Sequence, residues 1–158
     1  MNKLTILFVF VAFLSGCAAK GPVFEEVSAT HVNKATVYIY RPSLMFNSAG
    51  WPEIFVDGDE LFELRNNGYA VLFLDAGTHD IKAEGSKFLT NWYPGPVSYS
   101  ANFNAGEEYF LRITPKLDSA MFIGTVATMT GSATITPVSK QQALTELTDT
   151  KLVYKTDL

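Results

Sequence analysis

The sequence predicts an all-β protein with one short C-terminal helix: a β-sandwich or barrel, of which an antiparallel, Greek-key, Ig-like sandwich is the expectation. Three observations predict it. Seven or more short runs are rich in β-branched and aromatic residues. Gly, Asn, Asp and Pro signals separate them at short intervals. No helical periods alternate with the strands, which disfavours a doubly wound α/β fold. The 158 residues leave room for one domain, and 47% hydrophobic content supplies its core. Residues 34–158 are read as that single domain.

The chain opens with MNKLTILFVFVAFLSGC. Lys3 is a short positive start, and Leu4–Leu14 is apolar apart from Thr5. Eleven residues fall short of the roughly 20 that span a bilayer as a helix. They fit the apolar region of a secretory signal peptide, assigned to residues 1–16. Leu14-Ser15-Gly16-Cys17 then matches a lipobox: an aliphatic residue, two small ones and cysteine. Small residues let a peptidase reach the bond between Gly16 and Cys17, and the thiol takes a diacylglyceryl group. Cys17 is the single cysteine, so a disulfide within the chain and a cysteine-based zinc site are excluded. Two or more acyl chains give a stable anchor where one gives marginal binding. Ala18 stands where an aspartate commonly retains Gram-negative lipoproteins in the inner membrane, which predicts the outer membrane, facing the periplasm.

Residues 17–33 read as the lipidated N-terminus and a tether, because AAKGPVFEEVSATHVN has no clear period. Fully extended, the sixteen residues from Ala18 would reach roughly 55 Å. Strands follow at Ala35–Arg41, ended by Pro42, then at Glu53–Val56 and Glu60–Leu64 around the hairpin signal Asp57-Gly58. Tyr69–Leu74 is apolar on both faces and reads as a central strand. Thr78–Glu84 and Val97–Phe103 alternate, with one face solvated. Glu108–Thr114 is a strand ended by Pro115.

Ser119–Ser139 carries no charge. Its threonines, serines, glycines and Pro137 suit a membrane span poorly, and two strands around Met129–Ser132 fit better. Ser139 can cap a short helix, with Gln142 in the capping-box position and Ala143, Leu144 and Leu147 on one face. Leu152–Tyr154 reads as a last edge strand.

This order of segments after a lipobox has a counterpart. Arg41-Pro42, Val56-Asp57-Gly58, Gly68-Tyr69 and Gly77-Thr78-His79 succeed one another, followed by GEEYFLRI. Over residues 35–114 the chain resembles the small bacterial lipoproteins known as domain of unknown function 2846. The resemblance implies a β-sandwich like transthyretin-type or surface-decorating modules, and it brings no catalytic residues.

The formal net charge of −4 argues against nucleic acid, whose backbone needs a basic face. Asp57, Asp59 and Glu60 lack the order and the distal glutamate of an EF-hand, and read as a solvated hairpin turn. His79 beside Asp80 is not half of a triad, since neighbours on a strand point to opposite faces. His31 falls in the tether. Arg41 and Arg112 lie in apolar strands, where an arginine is usually paired or reaches an edge. Trp51, Trp92 and Tyr93 lie in loops beside Pro and Gly. They are the candidate contacts with a ligand or partner, and can equally cover an open end of the sandwich.

The expectation is a non-enzymatic envelope lipoprotein without cofactor or metal. It would be held in the bilayer by acylated Cys17 and would support an envelope protein partner. The second reading is a module that binds peptidoglycan or another saccharide through Trp92 and Tyr93. The third is a small hydrolase built on His79.

Overall fold

Two β-sheets face each other across an apolar core in the computed structural model, which describes residues 18–27, 32–85 and 92–156. The strands are β1 (Ala35–Arg41), β2 (Pro52–Val56), β3 (Asp59–Glu63), β4 (Gly68–Leu74), β5 (Gly77–Gly85), β6 (Val97–Phe103), β7 (Glu108–Ile123), β8 (Val126–Pro137) and β9 (Lys151–Lys155). One helix, α1 (Lys140–Leu147), precedes β9. The five-stranded sheet runs β8-β7-β1-β4-β9, and the four-stranded sheet β3-β2-β5-β6. The connections β1–β2, β3–β4, β4–β5 and β6–β7 each pass from one sheet to the other.

The fold is the expected all-β sandwich, rich in antiparallel pairs, with two parallel pairs inside the larger sheet. β1 pairs in parallel with β7, and β4 with β9. The intervening chain visits the other sheet or the helix before it returns, so it arrives in the same direction.

Burial follows the pleat. Val37, Ile39, Leu72, Leu111 and Ile113 face Ile54, Ile81 and Phe103 of the opposite sheet. Tyr38, Tyr40, Val71, Phe73 and Phe110 point the other way. That outer face is covered by Ala143 and Leu147 of α1 and by Phe24 and Val27. β1 is therefore buried at every residue. α1 begins as its sequence predicts, with Ser139 Oγ accepting from the Gln142 amide at 3.3 Å.

Three differences from expectation bear on function. Ala18–Val27 lies on the domain instead of extending as a tether. Ala18 bridges Asn66, Val23 bridges Lys151, and the Phe24 amide donates to the Thr150 carbonyl at 2.9 Å. β7 does not stop at Pro115 but runs on to Ile123. β1 pairs with β7 only as far as Arg112, so Pro115 has β8 as its one neighbour and its missing N–H can face the unpaired side. The turn of the uncharged segment is at Gly124-Thr125, and Met129–Ser132 lies within β8.

Candidate functional site

The motifs that carry the resemblance sit where the ends of the sandwich are closed. At one end Asp57-Gly58 forms the β2–β3 turn, both residues at positive φ (54° and 94°), as a two-residue type I′ hairpin requires. This turn holds the Asp57 carboxylate over β5. Its Oδ2 lies 2.6 Å from His79 Nδ1, and its Oδ1 accepts from the Asp80 amide at 2.9 Å. His79 Nε2 lies 2.9 Å from the Asp75 carbonyl oxygen. Both partners are acceptors, so both ring nitrogens donate only in the imidazolium form.

Burial pulls the His79 imidazole down. Its hydrogen bonds to Asp57 and to the Asp75 carbonyl more than offset this, and the net shift is upward. The hydrogen bonds from His79 and from the Asp80 amide hold the Asp57 carboxyl below its ordinary range. In this arrangement neither nitrogen is left to take a proton from a nucleophile. The partner of His79 is Asp57, across the sheet. A pairing between residues 22 positions apart leaves no local signal, although both lie in motifs that the sequence singles out.

The pH dependence follows from the two directions. The depressed carboxylate contributes stability above about pH 4, which is lost as pH falls through its folded pKa. The raised imidazole contributes fully below about pH 6.5 and loses its contribution as pH rises through its folded pKa. His79→Gln is therefore expected to destabilise most between these limits. The effect should be roughly 1 kcal/mol, kept small by the solvent around Asp57, and should shrink above pH 7. Urea midpoints across that range check it, and a pH-independent difference would show that the ion pair contributes nothing.

The opposite end, where β1 finishes and β4 begins, gathers the other candidates. Arg41 is completely buried. Its guanidinium donates at 2.6 Å to the Gly50 carbonyl and at 2.6 Å to the Asn47 carbonyl, and sits 5.5 Å from the Trp92 ring centre. It thereby pins the loop of residues 42–51. Desolvation lowers its pKa to about 10, which still leaves it charged at neutral pH.

Trp92 is buried in the core against Gly85, with Nε1 donating to the Gly95 carbonyl at 2.8 Å. It closes the end of the sandwich and offers no face to a sugar. Trp51 is half-buried, with the Arg65 guanidinium 4.4 Å from its ring centre. Tyr93 alone of the three is open, at 59% exposure. Arg112 is not free either. It reaches Glu146 of α1 at 2.7 Å, and the same carboxylate accepts from Tyr40 at 2.7 Å, which pins the helix to the sheet.

The N-terminal segment meets this same end. The Ala19 amide donates to the Asn66 carbonyl at 3.2 Å. Gly68 is needed here because a Cβ would lie 2.8 Å from the Arg65 carbonyl oxygen and 3.3 Å from the Ala19 Cβ. A cleft of about 440 Å³ opens between Ala18–Gly21, Phe62, Arg65 and Leu152. Gly16, Cys17 and His31 lie outside the described residues. Among the described residues no three His, Cys, Asp or Glu side chains are placed to hold a metal ion. Among them, too, no helix is long and apolar enough to cross a membrane.

A β-sandwich whose ends are closed by Arg-Pro, Asp-Gly, Gly-Tyr and Gly-x-His motifs is the class of protein these features define. Residues 31–126, well over half of the chain, match the family described as protein of unknown function (DUF2846), and the chain belongs to it. No curated protein and no solved structure matches the chain.

Proposed function

We propose that this protein is a non-enzymatic envelope lipoprotein, processed before Cys17 and acylated there. In this reading a β-sandwich is held at the periplasmic face of the outer membrane as a binding or accessory module. The observation that carries it is Leu14-Ser15-Gly16-Cys17 directly after an apolar segment too short to span, with no other cysteine in the chain. Ala18 on the folded domain agrees with it: the residue next to the cysteine bridges Asn66, so a lipid on Cys17 would hold the domain close to the headgroups. With residues 1–16 removed, the 142-residue mature chain has a net charge of −5, so anionic headgroups would not help to hold it. The occupied nitrogens of His79 support a structural over a catalytic role for that residue.

Cys17→Ser is expected to move the protein from the membrane fraction to the soluble or unprocessed fraction. The N-terminal peptide of the wild type should carry the mass of a diacylglyceryl group on Cys17. Mature wild type that stays soluble would overturn the reading. Saccharide binding stands second, since burial of Trp92 leaves Tyr93 as the one exposed ring of the three.

A further inference from the structure

The hairpin of β7 and β8 outgrows the sandwich. It leaves at the end marked by Arg41, since β7 runs parallel to β1 and continues past its last residue. Ala18, next in sequence to Cys17, bridges Asn66 at that same end, beside the Gly68–Arg41 pair.

The base of the hairpin is covered, with the Phe46 ring against Gly131. Beyond it, Leu117 pairs with Gly131, Ala120 with Met129, and Phe122 with Ala127. Counting across the bulge at Asp118, this face continues the core face of Ile113 and Ile135, but among the described residues no second sheet lies opposite it. Leu117, Met129 and Phe122 are exposed there, Phe122 by 73%. Met121 is 60% exposed on the other face. The outermost charge on β7 is Asp118, and β8 carries none.

We propose that the free end of this hairpin is a finger that dips into the surface of the bilayer. This rests on the reading that a lipid at Cys17 holds the domain there. Both faces of the tip carry exposed apolar side chains, as suits an isotropic apolar medium. Among the described side chains of the tip these four are large, apolar and exposed, a small patch beside the roughly 20–30 residues a side of a standard protein interface. The hydroxyl-bearing face enters partly satisfied, because Ser119 Oγ and Thr130 Oγ1 are 2.7 Å apart and hydrogen-bonded. Ser119–Ile123 spans about 16 Å at 3.3 Å per residue, roughly half the hydrocarbon thickness. The unpaired edges of a two-stranded ribbon forbid deeper entry, so the finger rests among headgroups and the first carbons of the tails. Tyr93 and Met45 are also exposed at this end of the sandwich, one beside Trp92 and the other in the loop after Arg41.

The test uses the full mature lipoprotein on vesicles of phosphatidylethanolamine and phosphatidylglycerol. Acylation consumes the Cys17 thiol, so Met121→Cys supplies one free thiol for an environment-sensitive fluorophore, and Ser100→Cys on β6 supplies the control. The probe at 121 should shift to the blue and be quenched by nitroxides placed shallow on the acyl chains, while the probe at 100 is not. Adding Phe122→Asp should abolish the quenching while the protein still floats with the vesicles. A chain that floats with its tip probe in water overturns the finger and leaves the anchor standing. A tip probe shielded from water yet unquenched by lipid nitroxides means that protein covers the tip, and also overturns it. A chain that does not float overturns the anchor and the finger together.

Discussion

Arg41→Ala is expected to destabilise the domain by about 3–5 kcal/mol. For a chain of this size that lowers the melting temperature by about 10 °C. Two causes add. The carbonyls of Asn47 and Gly50 lose their donor, and Gly50 is buried. The space left beneath Trp92 lies at the centre of the packed end, where the ring already touches Gly85. Arg41→Lys keeps the charge but not the fork that reaches two carbonyls, and should cost about 2 kcal/mol. Arg41→Met fills part of the volume without the donors, so it separates packing from hydrogen bonding. Burial already pulls the guanidinium down to about 10, so the cation itself is disfavoured there and its hydrogen bonds must offset that. If Arg41→Met is as stable as the wild type by thermal melting, the carbonyl bonds contribute nothing net, as can happen for buried charges.

Tyr38→Ala should destabilise by a similar amount, about 3–5 kcal/mol, and its effect reaches further along the chain. Tyr38 is completely buried, stacked on Phe110 at 4.7 Å, with Phe24 edge-on at 6.0 Å. Its hydroxyl accepts from the Val27 amide at 3.1 Å. The ring is thus a floor for the N-terminal segment, and its removal should free that segment before the sandwich unfolds. Limited proteolysis at Lys20 checks this: cleavage should be faster in Tyr38→Ala than in Tyr38→Phe, which keeps the ring. Tyr38→Phe loses one acceptor and should cost about 1 kcal/mol. Equal cleavage in both variants would show that the segment is held by its backbone bridges alone. In a lipid-anchored chain the release would matter, because Ala18–Val27 sets how closely the domain sits to the bilayer.

Arg41 and Trp92 show how much of this end is legible in the sequence. Arg41 could be named from its place before Pro42, and Trp92 from its loop. That one would lie under the other could not, because the contact joins β1 to a loop some fifty residues later. The same holds for Asp57 and His79, each visible in its own motif and paired only by the register of β2 against β5. The length of the β7–β8 hairpin was missed for a local reason. Pro115 reads as a terminator, and it is tolerated because β7 has already passed the end of β1.

What the sequence determined by itself is what short-range physics decides. Period-two burial, β-branched runs, the Asp57-Gly58 turn and the Ser139 cap each depend on a few neighbouring residues. The Leu14–Cys17 motif, on which the proposed anchor rests, is equally local. Only the tertiary structure decided which strands became neighbours, that β1 and β7 and then β4 and β9 run parallel, that Ala18–Val27 lies on the domain, and that the uncharged tip of the β7–β8 hairpin stands clear of it. Those outcomes depend on how apolar faces far apart in the chain are best covered. A strand's own residues specify which face must be buried, but not what will bury it.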